Sequence, residues 1–460
     1  MHNIPLEIFR AYDIRGIVGQ TLNNATVFSL GQAIGRKVLA NGEQQIVVGR
    51  DGRLSGPELS QQLIAGIITT GCAVINIGQV ATPLLYFATY HLQVASGVMI
   101  TGSHNPADYN GFKIVLAGKA IYGEEILALY HSMCASADTA NLSGQETDVN
   151  IMAAYIGYIC KDIALAKPLK IVVDCGNGVA GGIVPELYTK LGCEIIPLYC
   201  EVDGSFPNHH PDPGDPVNLQ DLIAAVLEHK ADLGFGFDGD GDRLGVIDNT
   251  GKIIWPDRVL MLLAQDVLAR NPQATIIYDI KSSKHLDAVI TSHGGKPLMW
   301  KTGHSLIKAK MQETNALLAG EMSGHIFFKE RWFGFDDALY AGARLLEILA
   351  PQSFAADQIF AKFPESISTP EIGINVTEAN KFAIINELIA TANFSGITAK
   401  HILDGLRVEF VDGWGLIRPS NTSPKLIARF EAETKVAMIR IQQEFKTCLL
   451  AIAPALEVLW

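Results

Sequence analysis

Three segments, Ile46-Val47-Val48-Gly49, Pro57 to Gly71 and Val74-Ile75-Asn76-Ile77, decide the fold. The first and third are short and rich in β-branched residues, the composition of buried strands. Between them, Leu59, Leu63, Ile64 and Ile67 fall on one face at helical spacing. Strand, helix and strand at this separation predict a parallel βαβ unit.

Working outward, the pattern recurs. Lys170-Ile171-Val172-Val173-Asp174 is followed by Gly176-Asn177-Gly178, a helix through Leu187 and the strand Cys193 to Leu198. A third copy runs from the helix Val259–Leu268 through the strand Ala274 to Asp279 to a helix from Lys284 to Ser292. These are repeats of architecture; the chain shows no fixed-period repeat of the solenoid type. Polar or Pro-rich seams lie near 140–153, 248–257 and 363–371. They divide the chain into α/β domains at 1–150, 151–252 and 253–366 and a fourth domain at 367–460. After Pro370 the alternation thins, and a helix is expected from Pro424 to Leu450, so the last domain reads as smaller and α+β.

A chain of 460 residues is too long for one core. Single cores stop growing at about 250–300 residues, and about 100–200 residues per domain gives three or four domains. The formal charge of -12 argues against a nucleic-acid or polyanion binder. An anionic substrate therefore needs a local cation cluster. Seven cysteines at 72, 134, 160, 175, 193, 200 and 448 form no Cys-x-x-Cys pair, as expected of a reduced cytoplasmic protein. No signal peptide is expected from Met1 to Glu7. No apolar run reaches the roughly 18–20 residues of a membrane span.

Gly236-Phe237-Asp238-Gly239-Asp240-Gly241-Asp242-Arg243 is the strongest chemical signal. Three carboxylates this close repel one another unless a cation compensates them. The intervening glycines let the backbone curl so that the oxygens face one centre, a hard-cation site for Mg²⁺ or a similar ion. An EF-hand fails, because its sixth position is Arg243 and its twelfth Asn249. A solvated acidic turn is the structural alternative, and the regular Asp-Gly alternation speaks against it. Arg243 either binds an anionic oxygen beside the metal or pairs with one of the aspartates.

Thr101-Gly102-Ser103-His104-Asn105-Pro106 follows the buried run Gly97-Val98-Met99-Ile100 and makes a shaped loop that holds a hydroxyl beside an imidazole. Taken alone it is also an ordinary turn. Arg418-Pro419-Ser420-Asn421-Thr422-Ser423-Pro424 gathers donors ahead of the expected last helix, a phosphate cradle or else an N-cap turn. Gly320-Glu321-Met322-Ser323-Gly324-His325 places Glu, Ser and His at a strand end, where carboxylate oxygens suit sugar hydroxyls. Lys301-Thr302-Gly303-His304 is weaker alone, since a histidine before a helix is commonly a cap or a surface residue. Arg15, in Tyr12-Asp13-Ile14-Arg15-Gly16, is an anion ligand or the partner of Asp13. Gly49-Arg50-Asp51-Gly52-Arg53 draws notice without suggesting a role. Lys113 reaches the Ser103 site if the chain doubles back through Asn110-Gly111.

Together, the loops at Thr101–Pro106, Asp238–Arg243, Gly320–His325 and Arg418–Thr422 resemble the four active-site loops of the α-D-phosphohexomutases, in order and one per expected domain. The Gly-Glu-Met-Ser-Gly-His form most resembles the bacterial phosphomannomutase/phosphoglucomutase branch. The resemblance spans essentially the whole chain. It implies three similar α/β domains with mixed sheets and a smaller, mobile fourth domain, heart-shaped around a central cleft. It also implies that Ser103 is a phosphoserine and that Asp238, Asp240 and Asp242 hold Mg²⁺ beside its phosphate. Arg243 and His104 flank that centre, and Glu321 and Ser323 bind sugar hydroxyls with His325 and His304 nearby. Arg418, Ser420, Asn421 and Thr422 grip the phosphate that is not transferred. Arg15, Tyr12 and Lys113 line the cleft, Lys113 as a proton carrier, and either Lys281 or Lys284 joins them.

The implied activity interconverts hexose 6-phosphate and hexose 1-phosphate, with mannose, glucose or both as the sugar. It runs through a hexose 1,6-bisphosphate, which is also the expected activator. Hexose phosphates are the expected partners, with neither nucleic acid nor membrane, and a monomer is expected over a dimer. The rival readings are a phosphoglucosamine or phosphoacetylglucosamine mutase, a non-catalytic sugar-phosphate-binding homologue, and a Mg²⁺-dependent phosphatase.

Overall fold

A computed structural model describes residues 4–135, 143–420 and 424–460. Part of the 140–153 seam, together with Asn421, Thr422 and Ser423, lies outside the described residues.

The deciding segments form the strand Gln45–Arg50, the helix Gly56–Ile68 and the strand Ala73–Gln79, and the two strands pair in parallel. Gly97–Ile100 adds in parallel on the other side of Gln45–Arg50. The chain then reverses: Tyr109–Leu116 runs antiparallel to Gly97–Ile100, and Ile14–Ile17 pairs antiparallel beyond it. The reversal happens in the 101–108 loop. Asn110 and Gly111 lie inside a strand, so the expected doubling back through them is wrong, although Lys113 does return to face Met99 in register.

The second sheet repeats the arrangement. Lys170–Asp174 lies between Glu194–Leu198 and Leu233–Phe237, all parallel, and Leu244–Asp248 returns antiparallel to Leu233–Phe237. In the third sheet Thr275–Asp279 lies between Lys296–Trp300 and Leu318–Gly320, both parallel to it, and Ile326–Phe328 returns antiparallel. Each of these mixed sheets therefore ends its parallel part at a tight hairpin. The hairpin loops are 101–108, 238–243 and 321–325, the three loops that the sequence marks for chemistry.

The fourth sheet is antiparallel throughout, and here one expectation fails. Residues 425–432 form a strand paired with Gly413–Pro419; the last helix is Lys435–Ile452. The reason is the side-chain period. Leu426, Ala428, Phe430 and Ala432 alternate onto the buried face, a period of two that a helix cannot bury on one side. The Arg418 loop is therefore a fourth hairpin, not the approach to a helix N-terminus. Ser420 N–H donates to Lys425 C=O at 2.9 Å to open it.

Each of the first three domains has a smaller core of its own on one face of its sheet, but on the other face they share one. One continuous cluster joins Val47 and Leu84 of the first domain, Ile171 and Phe235 of the second, and Leu260 and Leu345 of the third. The helix Ala338–Leu349 is buried along nearly its whole length in that cluster. The fourth domain has its own core around Leu388, Leu406, Phe430 and Phe445. Among the described residues, no helix is long and apolar enough to cross a membrane.

The strand assignment at 425–432 predicts a contrast. Phe430→Ala destabilises the chain by about 3–5 kcal/mol, the usual cost of emptying a buried aromatic site. Lys425→Ala, at an exposed position, changes stability by less than about 0.5 kcal/mol. Urea unfolding of the two variants measures the difference.

Candidate active site

The serine loop is held from below. Arg53 is buried, and its guanidinium donates to four carbonyls of the loop. Nη2 donates to Ser103 C=O (2.8 Å) and Asn105 C=O (2.6 Å), and Nη1 to Pro106 C=O (2.5 Å) and Tyr109 C=O (2.9 Å). Asp51 orients Arg53 (Nε to Oδ2, 3.3 Å) and accepts from the Gly102 N–H at 3.2 Å. A Cβ on Gly102 would lie 2.3 Å from Arg53 Nε, so glycine is required there. Ser103 itself sits at φ +48, the left-handed region that a non-glycine residue adopts at a cost. That backbone places Oγ 3.0 Å from Asp238 Oδ2, to which it donates, and 3.2 Å from His104 Nδ1.

Asp238, Asp240 and Asp242 are fully buried. Each offers an oxygen, and these atoms lie within 4.8 Å of one another. The loop curls because Gly241 has φ +74, and it meets the serine loop so closely that a Cβ on Gly239 would lie 2.4 Å from Ser103 C=O. The Asp242 and Arg243 N–H groups donate to Asp238 Oδ1, at 3.1 Å each.

Asp240 Oδ2 accepts from Thr82 Oγ at 2.6 Å and from Lys113 Nζ at 2.7 Å, and Lys113 also bonds to Asp242 Oδ2. Burial alone would lower the Lys113 ammonium, but Asp240 and Asp242 outweigh it and hold it above its ordinary value. Burial, then Asp240 and Asp242, push the Asp238 carboxyl well above the usual carboxylate range. Asp240 Oδ1 is buried with no hydrogen-bond partner. A cluster of hard oxygens with an orphaned carboxylate oxygen, one strained carboxyl and the Ser103 hydroxyl at its edge fits a hard divalent cation such as Mg²⁺.

The third loop joins the second by backbone. Arg243 and His325 form a β-bridge, and Leu244 N–H donates to Gly324 C=O at 3.1 Å. His325 lies between two carboxylates, Nε2 at 3.1 Å from Asp242 Oδ1 and Nδ1 at 3.1 Å from Glu321 Oε2. Burial lowers its pKa, but Asp242 and Glu321 overcome that and push it up to about 9. Ser323 Oγ is 2.9 Å from the same Nδ1. Glu321 Oε1 accepts from the Gly303 N–H at 2.5 Å, which ties the His304 loop to the sugar loop. His304 opens the helix His304–Thr314 and is buried, neither cap nor surface residue. The Tyr12 ring meets it edge-on at 5.7 Å.

The other marked residues fall as follows. Arg15 pairs with Asp13 at 2.5 Å and also donates to Asn105 Oδ1 of the serine loop. His104 is held well below the ordinary histidine value by burial, then by Arg243 and Arg15. Arg243 makes only loose pairs, at 3.9 Å, with Asp212 and Asp238, and its Nε is buried and unpartnered. Lys281 is buried, pairs with Glu371 at 2.6 Å and feels the Arg418 charge. Lys284 instead bonds to Val411 C=O and Glu433, at 2.9 and 3.0 Å. Arg418 donates to Asp404 at 2.8 Å through Nε, and its buried Nη2 has no partner among the described residues. Ser420 C=O accepts from Lys381 Nζ at 2.8 Å. The Asn421 and Thr422 expectations lie outside the described residues.

These contacts bring the loops of the first three domains to one buried centre, and Arg418 lies close enough to Lys281 and Tyr12 to interact electrostatically with both. Family models of phosphoglucomutase/phosphomannomutase match the chain in order: α/β/α domain I at residues 6–137, II at 153–251, III at 255–366 and the C-terminal domain at 371–447. A phosphomannomutase/phosphoglucomutase of Pseudomonas aeruginosa is 58% identical over 457 residues, 99% of this chain and 98% of that one. The chain belongs to the phosphoglucomutase/phosphomannomutase family. A phosphoglucomutase of Neisseria meningitidis is 53% identical over 453 residues, 98% of each chain. The crystal structure of a phosphoglucomutase/phosphomannomutase family protein from Burkholderia thailandensis superposes with a TM-score of 0.94, at 49% identity and 99% coverage of both chains.

The sequence reading gave no role to Asp51, Arg53 or Thr82, nor to Lys308, whose Nζ lies 3.1 Å from His304 Nδ1, and Asp336, which pairs with Lys308 at 2.7 Å. Arg53 belongs to a stretch already noticed, but nothing local says that its partner is a loop some 50 residues on. Lys308 carried a faint signal, one helical turn after His304. Asp336 and Thr82 carried none.

Arg53→Met keeps the length of the side chain but strands Asp51 and four carbonyls. It destabilises the family fold by about 3–5 kcal/mol, the range for removing one member of a buried charged pair. Chemical denaturation measures this, and a loss below about 1 kcal/mol would show that the loop stands without its support.

Proposed function

We propose that this family member is a phosphohexomutase that interconverts hexose 6-phosphate and hexose 1-phosphate, on mannose or glucose, through a phosphoserine at Ser103. The observation that carries it is the position of Ser103 Oγ, at 3.0 Å from Asp238 in a carboxylate cluster that Lys113 bridges. Ser103 Oγ has Asp238 Oδ2 and His104 Nδ1 in hydrogen-bond reach, but Asp238 belongs to the carboxylate cluster and the pair does not form the Ser-His-carboxylate relay of a hydrolase. His104 Nδ1 is 3.2 Å from Oγ, and among the described residues no carboxylate hydrogen-bonds to the other side of that ring. The names of the relatives at 58% and 53% identity support the same reading.

Phosphoryl transfer needs in-line placement and neutralised equatorial oxygens. Asp238, Asp240 and Asp242 would hold Mg²⁺, which when bound supplies positive charge to the phosphoryl oxygens. Arg15, Arg243, neutral His104 and Lys113 complete the anion pocket. Lys113 is the proton carrier. Glu321 and Ser323 orient the sugar hydroxyls, with His325, His304 and Tyr12 at its sides.

Arg418, Ser420, Asn421, Thr422 and Lys281 take the phosphate that stays. The unpartnered Arg418 Nη2 and the buried ammonium of Lys281 support that assignment. The contacts of Lys284 with Val411 and Glu433 favour Lys281 of the two lysines. Ser103 gives its phosphoryl group to one end of the sugar, and the hexose 1,6-bisphosphate turns round. Its other phosphoryl group then returns to Ser103. The bisphosphate is correspondingly the activator. Domain bounds of 1–150, 151–252, 253–366 and 367–460 put one loop on each domain. The free cysteines suit a reducing cytoplasm, and we take the working unit as the monomer.

Side-by-side assays on mannose, glucose and glucosamine phosphates test the substrate class. Turnover on mannose or glucose phosphate, stimulated by the matching 1,6-bisphosphate, is the expected result. A preference for glucosamine phosphate moves the chain to the neighbouring mutases, and release of inorganic phosphate at the isomerisation rate makes it a phosphatase. Ser103→Ala loses more than about 10³-fold in turnover while still binding mannose 6-phosphate in calorimetry. Stripping Mg²⁺ with a chelator stops the wild-type reaction and re-addition restores it; full activity in excess chelator would refute the metal assignment.

A further inference from the structure

We propose that Lys308 is a positioning residue that fixes the tautomer of His304, presenting its Nε2–H as a neutral donor to the bound sugar phosphate. The proposal rests on the mutase reading for the identity of the ligand. The tautomer itself rests on geometry alone.

Lys308 follows His304 by one turn on the helix His304–Thr314, so both side chains share a face. It is buried, and its ammonium has three acceptors: Asp336 Oδ1 at 2.7 Å, Tyr86 Oη at 2.8 Å and His304 Nδ1 at 3.1 Å. The ammonium carries three hydrogens and no lone pair. Donor and acceptor counts therefore match, and each hydrogen has one destination. Burial lowers the Lys308 pKa below its ordinary value, opposed by the Asp336 carboxylate at 2.7 Å, and the Tyr86 ring, whose centroid is 4.1 Å from Nζ, also favours the charged form.

The consequence for His304 follows directly. An ammonium can only donate, so Nδ1 must accept, and the ring hydrogen goes to Nε2. A hydrogen on Nδ1 would face the ammonium at 3.1 Å with nothing between them. Among the described residues no carboxylate competes to hold one there, since Asp336 Oδ2 is 3.8 Å from Nδ1, beyond hydrogen-bond reach. Ser305 Oγ, 3.5 Å away, sits at the limit and can itself donate. Burial, and then Lys308, also hold the imidazole well below its ordinary pKa, so the ring stays neutral. Nε2 has no hydrogen-bond partner among the described residues. A donor that is fixed, uncharged and unengaged suits an oxygen of a sugar phosphate that must bind in two orientations, because it holds without adding a charge that would favour one.

The alternative is that Lys308 only pins the helix to Asp336 and Tyr86. Two readouts separate the roles. In the full chain labelled with ¹⁵N and ¹³C at histidine, the His304 signals are those absent from His304→Gln. Their nitrogen and ring-carbon shifts should report the Nε2–H tautomer in the wild type. In Lys308→Met they should move to a mixture with Nδ1–H.

Because Lys308→Met leaves Asp336 buried and unpaired, the double variant Lys308→Met/Asp336→Asn, which removes both charges, is measured beside it and should give the same shift. In kinetics, Lys308→Met should lower kcat/KM for the hexose phosphate by about tenfold. It should add less than about twofold when made on His304→Gln. An Nδ1–H tautomer in the wild type, or shifts unmoved in both variants, would overturn the proposal, as would fully additive kinetic losses. If the chain turns over no hexose phosphate, the mutase reading falls, and the tautomer measurement still decides the role of Lys308.

Discussion

Lys113 Nζ lies between two fully buried carboxylates, Asp240 and Asp242, with a third, Asp238, close by. Carboxylates so placed are unstable in a low-dielectric interior unless cations join them. Those cations come from different parts of the chain: Lys113 from the first domain, Arg243 from the second and His325 from the third. The protein's own cations reach the cluster together only when the three domains are docked. Their shared hydrophobic core meets that requirement, since it leaves the domains no freedom to separate without exposing apolar surface. Charge and core thus impose the same constraint, and the site is formed by assembly rather than by any one domain.

The hairpin is what lets each sheet contribute. In three sheets a strand paired in parallel on one side meets an antiparallel return on the other, and the connecting loop emerges where the parallel part ends. The fourth, all-antiparallel sheet offers a hairpin of its own. Close approach then falls to particular glycines. Gly102 makes room for the Arg53 guanidinium and Gly239 for the Ser103 carbonyl, and any Cβ would lie within 2.5 Å of those atoms. The strain at Ser103 is sustained because Arg53, Thr101 and Asp51 together bind its loop from several directions.

The fourth domain is joined differently. It shares none of the large core of the other three, and it meets the third domain through a small apolar cluster, Ile280 with Trp414 and Leu416, ringed by many polar contacts. Arg407, stacked on Trp414, donates to Ile280 and Ser282 C=O, Ser283 donates to Glu431, and Lys281 meets Glu371. Polar contacts can be exchanged for water at small net cost, unlike a continuous apolar core. An interface of that kind, small in apolar area beside the core that joins the other three, costs less to open.

Much of this was legible in the chain. The alternation around 46–77 determined a parallel α/β architecture, and the Asp-Gly alternation at 238–242 determined a cation site, because both depend on neighbours within a few residues. The segment 425–432 misled, since Ser-Pro suggests a helix start, while its alternating burial appears only when the sheet is built. What the tertiary structure alone decided is how buried charges are compensated. Lys113 meets Asp240 across 127 residues, Arg53 finds the serine loop across 50, and Lys308 meets Tyr86 across 222. Spacing along a sequence carries no record of such partners. The charge state and tautomer of a buried group are set by whatever the fold brings within hydrogen-bond reach.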